Sequence, residues 1–195
     1  MNKKVGLLLA LVCVFGLSLQ ANAATTIYTD KASWEAAFFS VTTEDFTDSA
    51  LNAGVSVVSD AGSVTGGIWS DRLVPSGDST TFSFASAIFG FGGDWDLAGP
   101  AGQGTGITLT LTLLAGGTEV LTTEIPRSTA GTFWGFVSDV AFTDVLLTAG
   151  TQSGVAETFH LDNMVYSASP VPVPAAVWLF GSGLLGLLGV RRKKA

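Results

Sequence analysis

Apolar and polar residues alternate with a period of two along much of the chain after residue 79. The clearest run is ITLTLTLL, in which Ile107, Leu109, Leu111 and Leu113 would face a core and the threonines between them would face solvent. Similar runs are TTFSF, GTFWGFVS, VAFTDVLLTA and ETFHLDNMVYS. Short alternating runs separated by Gly, Pro, Asp and Ser predict antiparallel strands. Their number and spacing favour an all-β fold, a two-sheet antiparallel sandwich, over a parallel α/β sheet.

Two stretches depart from this alternation. In DKASWEAAF, Asp30 can cap a helix whose buried face would carry Trp34, Ala37 and Phe38 at i, i+3 and i+4 spacing. The sequence therefore predicts one short N-terminal helix. The glycine-rich stretch FGFGGDWDLAGPAGQGTG is predicted to be a long loop, and because no lysine follows its glycines a nucleotide site is not expected.

The N-terminus has the pattern of an export signal. Lys3 and Lys4 precede an apolar run, and Ala21-Asn22-Ala23 supplies the small residues at which signal peptidase cuts. A retained membrane anchor is the alternative, but the apolar run is short and no stop-transfer charges follow it. Residues 1–23 are therefore predicted to be a signal peptide. The only cysteine, Cys13, lies within it, so the mature chain cannot form disulfides.

The segment between the two ends, residues 24–170, is predicted to be a single extracytoplasmic β-sandwich domain. It contains all sixteen acidic residues but only Lys31, Arg72 and Arg127 as basic ones, a formal charge of −13. Such a surface repels nucleic acid and anionic lipid, so no nucleic-acid partner is expected. Solubility outside the cell or an affinity for cations would each account for this charge.

The last 25 residues have three parts in a fixed order. The tetrapeptide Val171, Pro172, Val173 and Pro174 holds the backbone extended, since proline cannot enter the helix that follows. Residues 175–190 are uncharged, and as a helix of about 24 Å they nearly match a hydrocarbon core of about 30 Å. A single transmembrane helix is predicted there. Four basic residues stop it and favour a cytoplasmic C-terminus: Arg191, Arg192, Lys193 and Lys194.

This tripartite tail resembles the PEP-CTERM sorting signal, with Val173 in place of the glutamate of Pro-Glu-Pro. The resemblance implies that a membrane enzyme of the exosortase type reads the tail at residues 171–174. It also implies transient membrane anchoring and delivery to the cell surface or the extracellular polysaccharide matrix. The second apolar segment is thus interpreted as a temporary address, as in other proteins whose C-terminal tail is removed.

Two candidate sites lie in the domain. Trp95, between Asp94 and Asp96, could stack on a sugar ring while the carboxylates bind its hydroxyls, or it could be a core tryptophan beside turn aspartates. The stretches TTEDFTDS and TFHLDNMVY resemble the first and last strands of jelly-roll carbohydrate-binding domains, which implies structural calcium between them. Its ligands would be Glu44, Asp45, Asp48 and Asp162, unless these carboxylates cap turns instead.

Catalytic signals are weak. His160 is the only histidine and the mature chain has no thiol, which disfavours both a serine nucleophile with its base and a zinc site. The leading interpretation is a non-enzymatic, exported surface or matrix protein. The alternatives are a carbohydrate-binding module and, third, a polysaccharide hydrolase that uses a carboxylate pair such as Glu44 with Asp162.

Overall fold

The computed structural model describes residues 24–169, and within them the protein is an all-β antiparallel sandwich with one short helix, as the alternation predicts. The helix α1 is Lys31–Glu35. The strands are β1 Thr25–Tyr28, β2 Thr42–Glu44, β3 Val55–Ser59, β4 Ser63–Thr65, β5 Ile68–Leu73, β6 Ser79–Asp96, β7 Ile107–Leu113, β8 Thr118–Val120, β9 Ala130–Ala149 and β10 Glu157–Ser167.

The predicted helix forms, but it is only five residues long. The Asp30 side chain caps it by accepting a hydrogen bond from the Ser33 backbone N–H. Trp34 is fully buried, and its indole N–H donates to the carbonyl of Phe136 at 2.9 Å. Phe38 lies beyond the helix end but packs in the same small cluster, so the predicted face is buried against β9.

The strands β6 and β9 organise both layers of the sandwich. They pair antiparallel along almost their whole length, with irregularities between Ser83 and Gly90 of β6. Bulges bend strands, and here the bend lets one hydrogen-bonded array fold into two facing layers. The first half of β6 and the second half of β9 therefore lie in one layer, and the second half of β6 and the first half of β9 lie in the other.

Each layer extends from this central pair. In the first layer β3 adds to the start of β6, and β7 and then β8 add to the end of β9. In the second layer β1 pairs with the start of β9, and β10 pairs with the end of β6. β10 is in turn bordered by β5 and by β2, and β4 lies beyond β5.

Aromatic side chains from both layers fill the space between them. Phe82 of the first layer has its ring centroid 5.7 Å from that of Trp69 and 6.0 Å from that of Phe91, both in the second layer. In β7, Ile107, Leu109 and Leu111 are buried while the threonines between them are not, which confirms the predicted alternation. Residues 24–169 thus enclose their own hydrophobic core, as domains that fold independently do.

The predicted loop at residues 89–106 is wrong for its first half. Residues 89–96 continue β6 at the centre of the second layer, and only the part after Asp96 is irregular. The glycines are needed there for close approach rather than for turning. A Cβ on Gly92 would lie 2.8 Å from the Cα of Gly135 on β9, and one on Gly90 would lie 2.3 Å from the Phe38 ring.

The predicted terminal segments lie outside the described residues. These are the signal peptide at 1–23, the Val171–Pro174 motif, the membrane helix at 175–190 and the basic stop at 191–194. Within residues 24–169, no helix has the length and apolar character needed to cross a bilayer.

Candidate functional site

The predicted sugar platform is not formed by Trp95. Its side chain is fully buried, and its indole N–H donates to the Trp134 carbonyl at 3.0 Å. The ring packs against those of Phe91 and Phe159. The structure shows the alternative interpretation, a core tryptophan. Trp95 lies four residues after Phe91 on β6, so both side chains face the same side of the sheet, and this spacing was the signal for burial.

The two flanking aspartates have local partners. Asp94 accepts a hydrogen bond from the Asn163 side chain at 3.1 Å, and Asp96 accepts one from the Gly99 backbone N–H at 2.7 Å. Asp96 thus caps the turn that follows β6, as the alternative interpretation expected. Without an exposed ring between them, these carboxylates do not form the predicted carbohydrate site.

The four carboxylates predicted to bind calcium are not assembled into a site. β2 does pair with β10, with Glu44 opposite Met164, so the early and late strands are neighbours. However, no group of three or more His, Cys, Asp or Glu side chains in residues 24–169 is placed to hold a metal ion. Asp45, Asp48 and Asp162 each accept a backbone N–H within two residues. Calcium binding stays a prediction, which melting with and without chelator tests.

Glu44 itself stabilises a loop. It is 4% exposed, and its two carboxylate oxygens accept backbone N–H groups from Phe46 at 2.9 Å and Asn52 at 2.6 Å. Phe46 has a positive φ of 52°, which is uncommon for a bulky residue and is held here by the Glu44 bond and by complete burial of the ring. Because its side chain is buried and each oxygen accepts a backbone bond, Glu44 is poorly placed for the acid–base pair of a hydrolase.

A different site lies beside this loop, where the sandwich bends. We call it the aromatic groove; it has a volume of about 390 Å³, within the range of about 300–1,000 Å³ typical of ligand sites. It combines apolar rings with neutral polar groups. The residues that matter for its chemistry are Thr42, Asn52, Phe84, Ser86, Ile88 and Tyr166.

Four separate parts of the fold meet at the aromatic groove. Tyr166 comes from β10 and lies opposite Thr42 of β2, whereas Phe84 and Ser86 come from the irregular bend of β6. The Tyr166 and Phe84 rings pack at a centroid distance of 5.0 Å with their planes tilted by 48°. Asn52 is fixed in the loop, because its side-chain amide donates to the Thr43 carbonyl at 2.8 Å.

The polar end of the aromatic groove is the Tyr166 hydroxyl. Burial raises the pKa of Tyr166, a hydrogen bond with the Asn52 side chain lowers it, and the nearby Glu44 carboxylate raises it. The phenol therefore stays protonated at neutral pH and can both donate and accept hydrogen bonds. The Phe84 ring is only 5% exposed and supports the groove from below, so the partly exposed Tyr166 ring, beside its hydroxyl and the Asn52 amide, is the aromatic surface that can bind a ring with both C–H faces and hydroxyl groups.

No sequence pattern predicted the aromatic groove. Its residues are separated by more than a hundred positions in the chain, and no local motif links Asn52 with Tyr166. The usable signal was Tyr166 itself, a phenol at the end of an alternating strand that was predicted correctly.

Two further cavities have a different lining. One of about 400 Å³ includes Arg72 and Gln103, and one of about 620 Å³ includes Thr122 and Glu124. No aromatic side chain is among the described residues that line either of them. The aromatic groove is therefore the better candidate for a ligand with apolar ring faces.

A buried carboxyl lies elsewhere, at the start of β10. Glu157 is fully buried; its Oε2 accepts from the Gly106 backbone N–H, and its Oε1 has no hydrogen-bond partner. Burial raises the pKa of Glu157, and the backbone bonds from Gly106 and Thr105 and the charge of Arg127 offset part of this shift. A folded-state pKa above the unfolded one favours the native state at low pH, and this contribution is lost as pH rises through the folded pKa.

We expect Glu157→Gln to flatten the pH dependence of stability. From about pH 3.5, below the unfolded-state pKa, to pH 8 the wild-type protein should lose more free energy of unfolding than the variant, by about 1.4 kcal/mol for each unit of pKa elevation. Urea denaturation of both proteins across this range measures the difference. Glu35→Gln, at an exposed helix position, is the matched control and should parallel the wild type. If the free energy of unfolding of Glu157→Gln depends on pH in the same way as that of the wild type, the raised pKa of Glu157 would be contradicted.

The C-terminal tail of the chain is similar to a known sorting signal. Residues 170–193 match the family model described as the PEP-CTERM protein-sorting motif. The chain therefore contains a PEP-CTERM sorting motif at its C-terminal end. The motif indicates export and sorting to the cell surface through exosortase, with transient membrane anchoring. It begins directly after Ser169, whose hydroxyl lies 2.8 Å from that of Ser40, and two residues after Ala168 in the wall of the aromatic groove.

The comparison with solved structures concerns the fold. A variant of CBM29-2, a family 29 carbohydrate-binding module, is similar with a TM-score of 0.50 at 13% identity, covering 67% of this chain and 94% of the module. A second variant, complexed with mannohexaose, has a TM-score of 0.47 at 14% identity, with coverages of 67% and 93%. At such identity the first of these likenesses shows a shared jelly-roll-like fold and nothing more. No curated protein matches the sequence.

Proposed function

We propose that this chain is a non-catalytic surface or matrix protein whose sandwich domain binds a polysaccharide in the aromatic groove. The observation that supports this most directly is the placement of the Tyr166 hydroxyl and the Asn52 amide beside the paired Tyr166 and Phe84 rings. Sugar rings have both apolar faces and hydroxyl groups, so they match such a lining. The likeness to carbohydrate-binding modules makes a glycan a natural first ligand class to test.

The site also fits the destination of the protein. Export to the cell surface brings the domain into contact with extracellular polysaccharide. A domain of charge −13 without disulfides stays soluble there, and a preformed groove binds at a small ordering cost. A hydrolase is a weaker proposal, since Glu44 is buried with each oxygen holding a backbone N–H and Asp162 accepts the neighbouring Asn163 N–H.

We expect residues 24–169 to bind at least one polysaccharide on a glycan array specifically and saturably. Tyr166→Phe removes only the hydroxyl and should weaken binding about tenfold, the loss of roughly one good hydrogen bond. Ser86→Gln places a longer neutral side chain at an exposed position in the groove wall and should weaken binding at least as much. Isothermal titration with the best oligosaccharide measures both effects.

The matched control is Thr122→Gln, which makes a comparable change at an exposed position in the cavity of about 620 Å³. It should leave the affinity unchanged. Binding that is lost in Thr122→Gln but retained in Ser86→Gln would place the site elsewhere. An array without any saturable glycan would reject the proposed function.

A further inference from the structure

The aromatic groove has a negative charge beneath it. Glu44 and Thr42 lie two residues apart on β2, and Met164 and Tyr166 lie opposite them on β10. Residues two apart on a strand share a face of the sheet, so Glu44 and Tyr166 are diagonal neighbours, typically about 7–8 Å apart between backbone positions. Glu44 also holds Asn52, another residue of the groove, through its backbone N–H at 2.6 Å.

The surroundings of this charge in the described part of the chain are free of cations. Both Glu44 oxygens accept backbone N–H groups, the pattern of an ionised carboxylate, and within residues 24–169 no Lys or Arg forms an ion pair with it. None of the described residues that line the aromatic groove is basic. A buried charge is poorly screened, so its field reaches a ligand bound at the Tyr166 hydroxyl.

We propose that Glu44 is a specificity-determining residue, which makes the aromatic groove select neutral glycans and reject those with carboxylates. A uronic acid bound at Tyr166 would bring a second negative charge near Glu44, in a domain that already has a formal charge of −13. The same field that raises the pKa of the Tyr166 phenol, by disfavouring a negative charge there, disfavours an anionic ligand. A neutral sugar meets no such repulsion and can use the hydroxyl and amide groups directly. This inference rests on the proposed function.

The test compares two ligands that differ only at C6, where a neutral hydroxymethyl group is replaced by a carboxylate. One is a neutral oligosaccharide that binds on the array, with cellohexaose as the first probe, and the other is the same oligosaccharide with its primary C6 hydroxyls oxidised to carboxylates. We expect the oxidised ligand to bind about tenfold more weakly, and most of this penalty should persist at about 0.5 M salt because a buried charge is poorly screened. Titration calorimetry of residues 24–169 measures both affinities.

The variant Glu44→Gln removes the charge and should bring the two affinities together. Asp139→Asn is the control, because it removes an exposed negative charge next to the start of the described chain and should leave the discrimination intact. If Glu44→Gln fails to fold, the salt dependence in the wild type decides the question: a penalty that persists at about 0.5 M salt supports the buried Glu44 charge, whereas one that salt abolishes assigns it to exposed carboxylates and overturns the role of Glu44. Equal or tighter binding of the oxidised ligand, at any salt, would overturn the role of Glu44 and leave glycan binding standing. A failure of both ligands and of the whole array would overturn the proposed function and this inference with it.

Discussion

Trp95→Ala should lower the free energy of unfolding by about 3–5 kcal/mol, the usual cost of removing a large buried aromatic side chain. The indole is fully buried between Phe91 and Phe159, so the substitution leaves a cavity in the middle of the sandwich. It also leaves the Trp134 carbonyl without the bond that it accepts at 3.0 Å. Urea denaturation of residues 24–169, followed by far-UV circular dichroism, measures the loss.

The control for Trp95→Ala is Phe39→Ala, since the Phe39 ring is 81% exposed and its removal should change stability by less than about 0.5 kcal/mol. Any Trp95→Ala protein that remains folded at low temperature should still bind glycan. Nearly unchanged stability together with lost glycan binding would restore Trp95 as a sugar platform and contradict its burial.

Asp71→Ala should cost about 3 kcal/mol, because it leaves several donors without their acceptor. Asp71 is 5% exposed on β5 of the second layer. Its carboxylate accepts from the Ser59 hydroxyl at 2.8 Å, from the Thr80 hydroxyl, and from the Arg72 backbone N–H at 2.6 Å. Ser59 and Thr80 belong to β3 and β6 of the first layer, so this one side chain ties the two layers together.

Two variants separate this role from a general effect of removing charge. Asp48→Ala removes an exposed carboxylate with a single bond to the Ala50 N–H, and it should cost less than about 1 kcal/mol. Asp71→Asn keeps the shape and one acceptor oxygen, so it should fall between Asp71→Ala and the wild type. Thermal melting of the three proteins gives the ranking, and an Asp71→Ala protein as stable as Asp48→Ala would contradict the link between the layers.

The elements that could be predicted from sequence are those whose signal is local. The threonine–leucine alternation predicts β7, and the Asp30 cap with Trp34 predicts α1, because burial on one face and capping each depend on a few neighbouring residues. The pairing of an early strand with a late one was also expected from resemblance, and β2 does pair with β10.

The features that could not be predicted are those set by contacts between residues distant in the sequence. Gly90 and Gly92 indicate a loop when only their neighbours in sequence are considered, yet they lie in β6 because Phe38 and Gly135 approach too closely for any side chain. For Glu44, the resemblance to jelly-roll strands implied calcium, which stays a prediction, and the bonds that its oxygens accept from the Phe46 and Asn52 backbone could not be predicted from the sequence. The aromatic groove depends on bringing Phe84 to Tyr166, a contact that no short stretch of sequence specifies.

The most direct test of the central claim is to map where the glycan touches the domain. Amide chemical shifts of residues 24–169 would be followed by NMR during titration with the best oligosaccharide from the array. We predict that the largest changes fall around the aromatic groove, at Asn52, Ser86 and Tyr166, with little change at Asp94–Asp96 or at the cavity near Gln103. Shifts centred on either of those other regions, with the groove unaffected, would contradict the account.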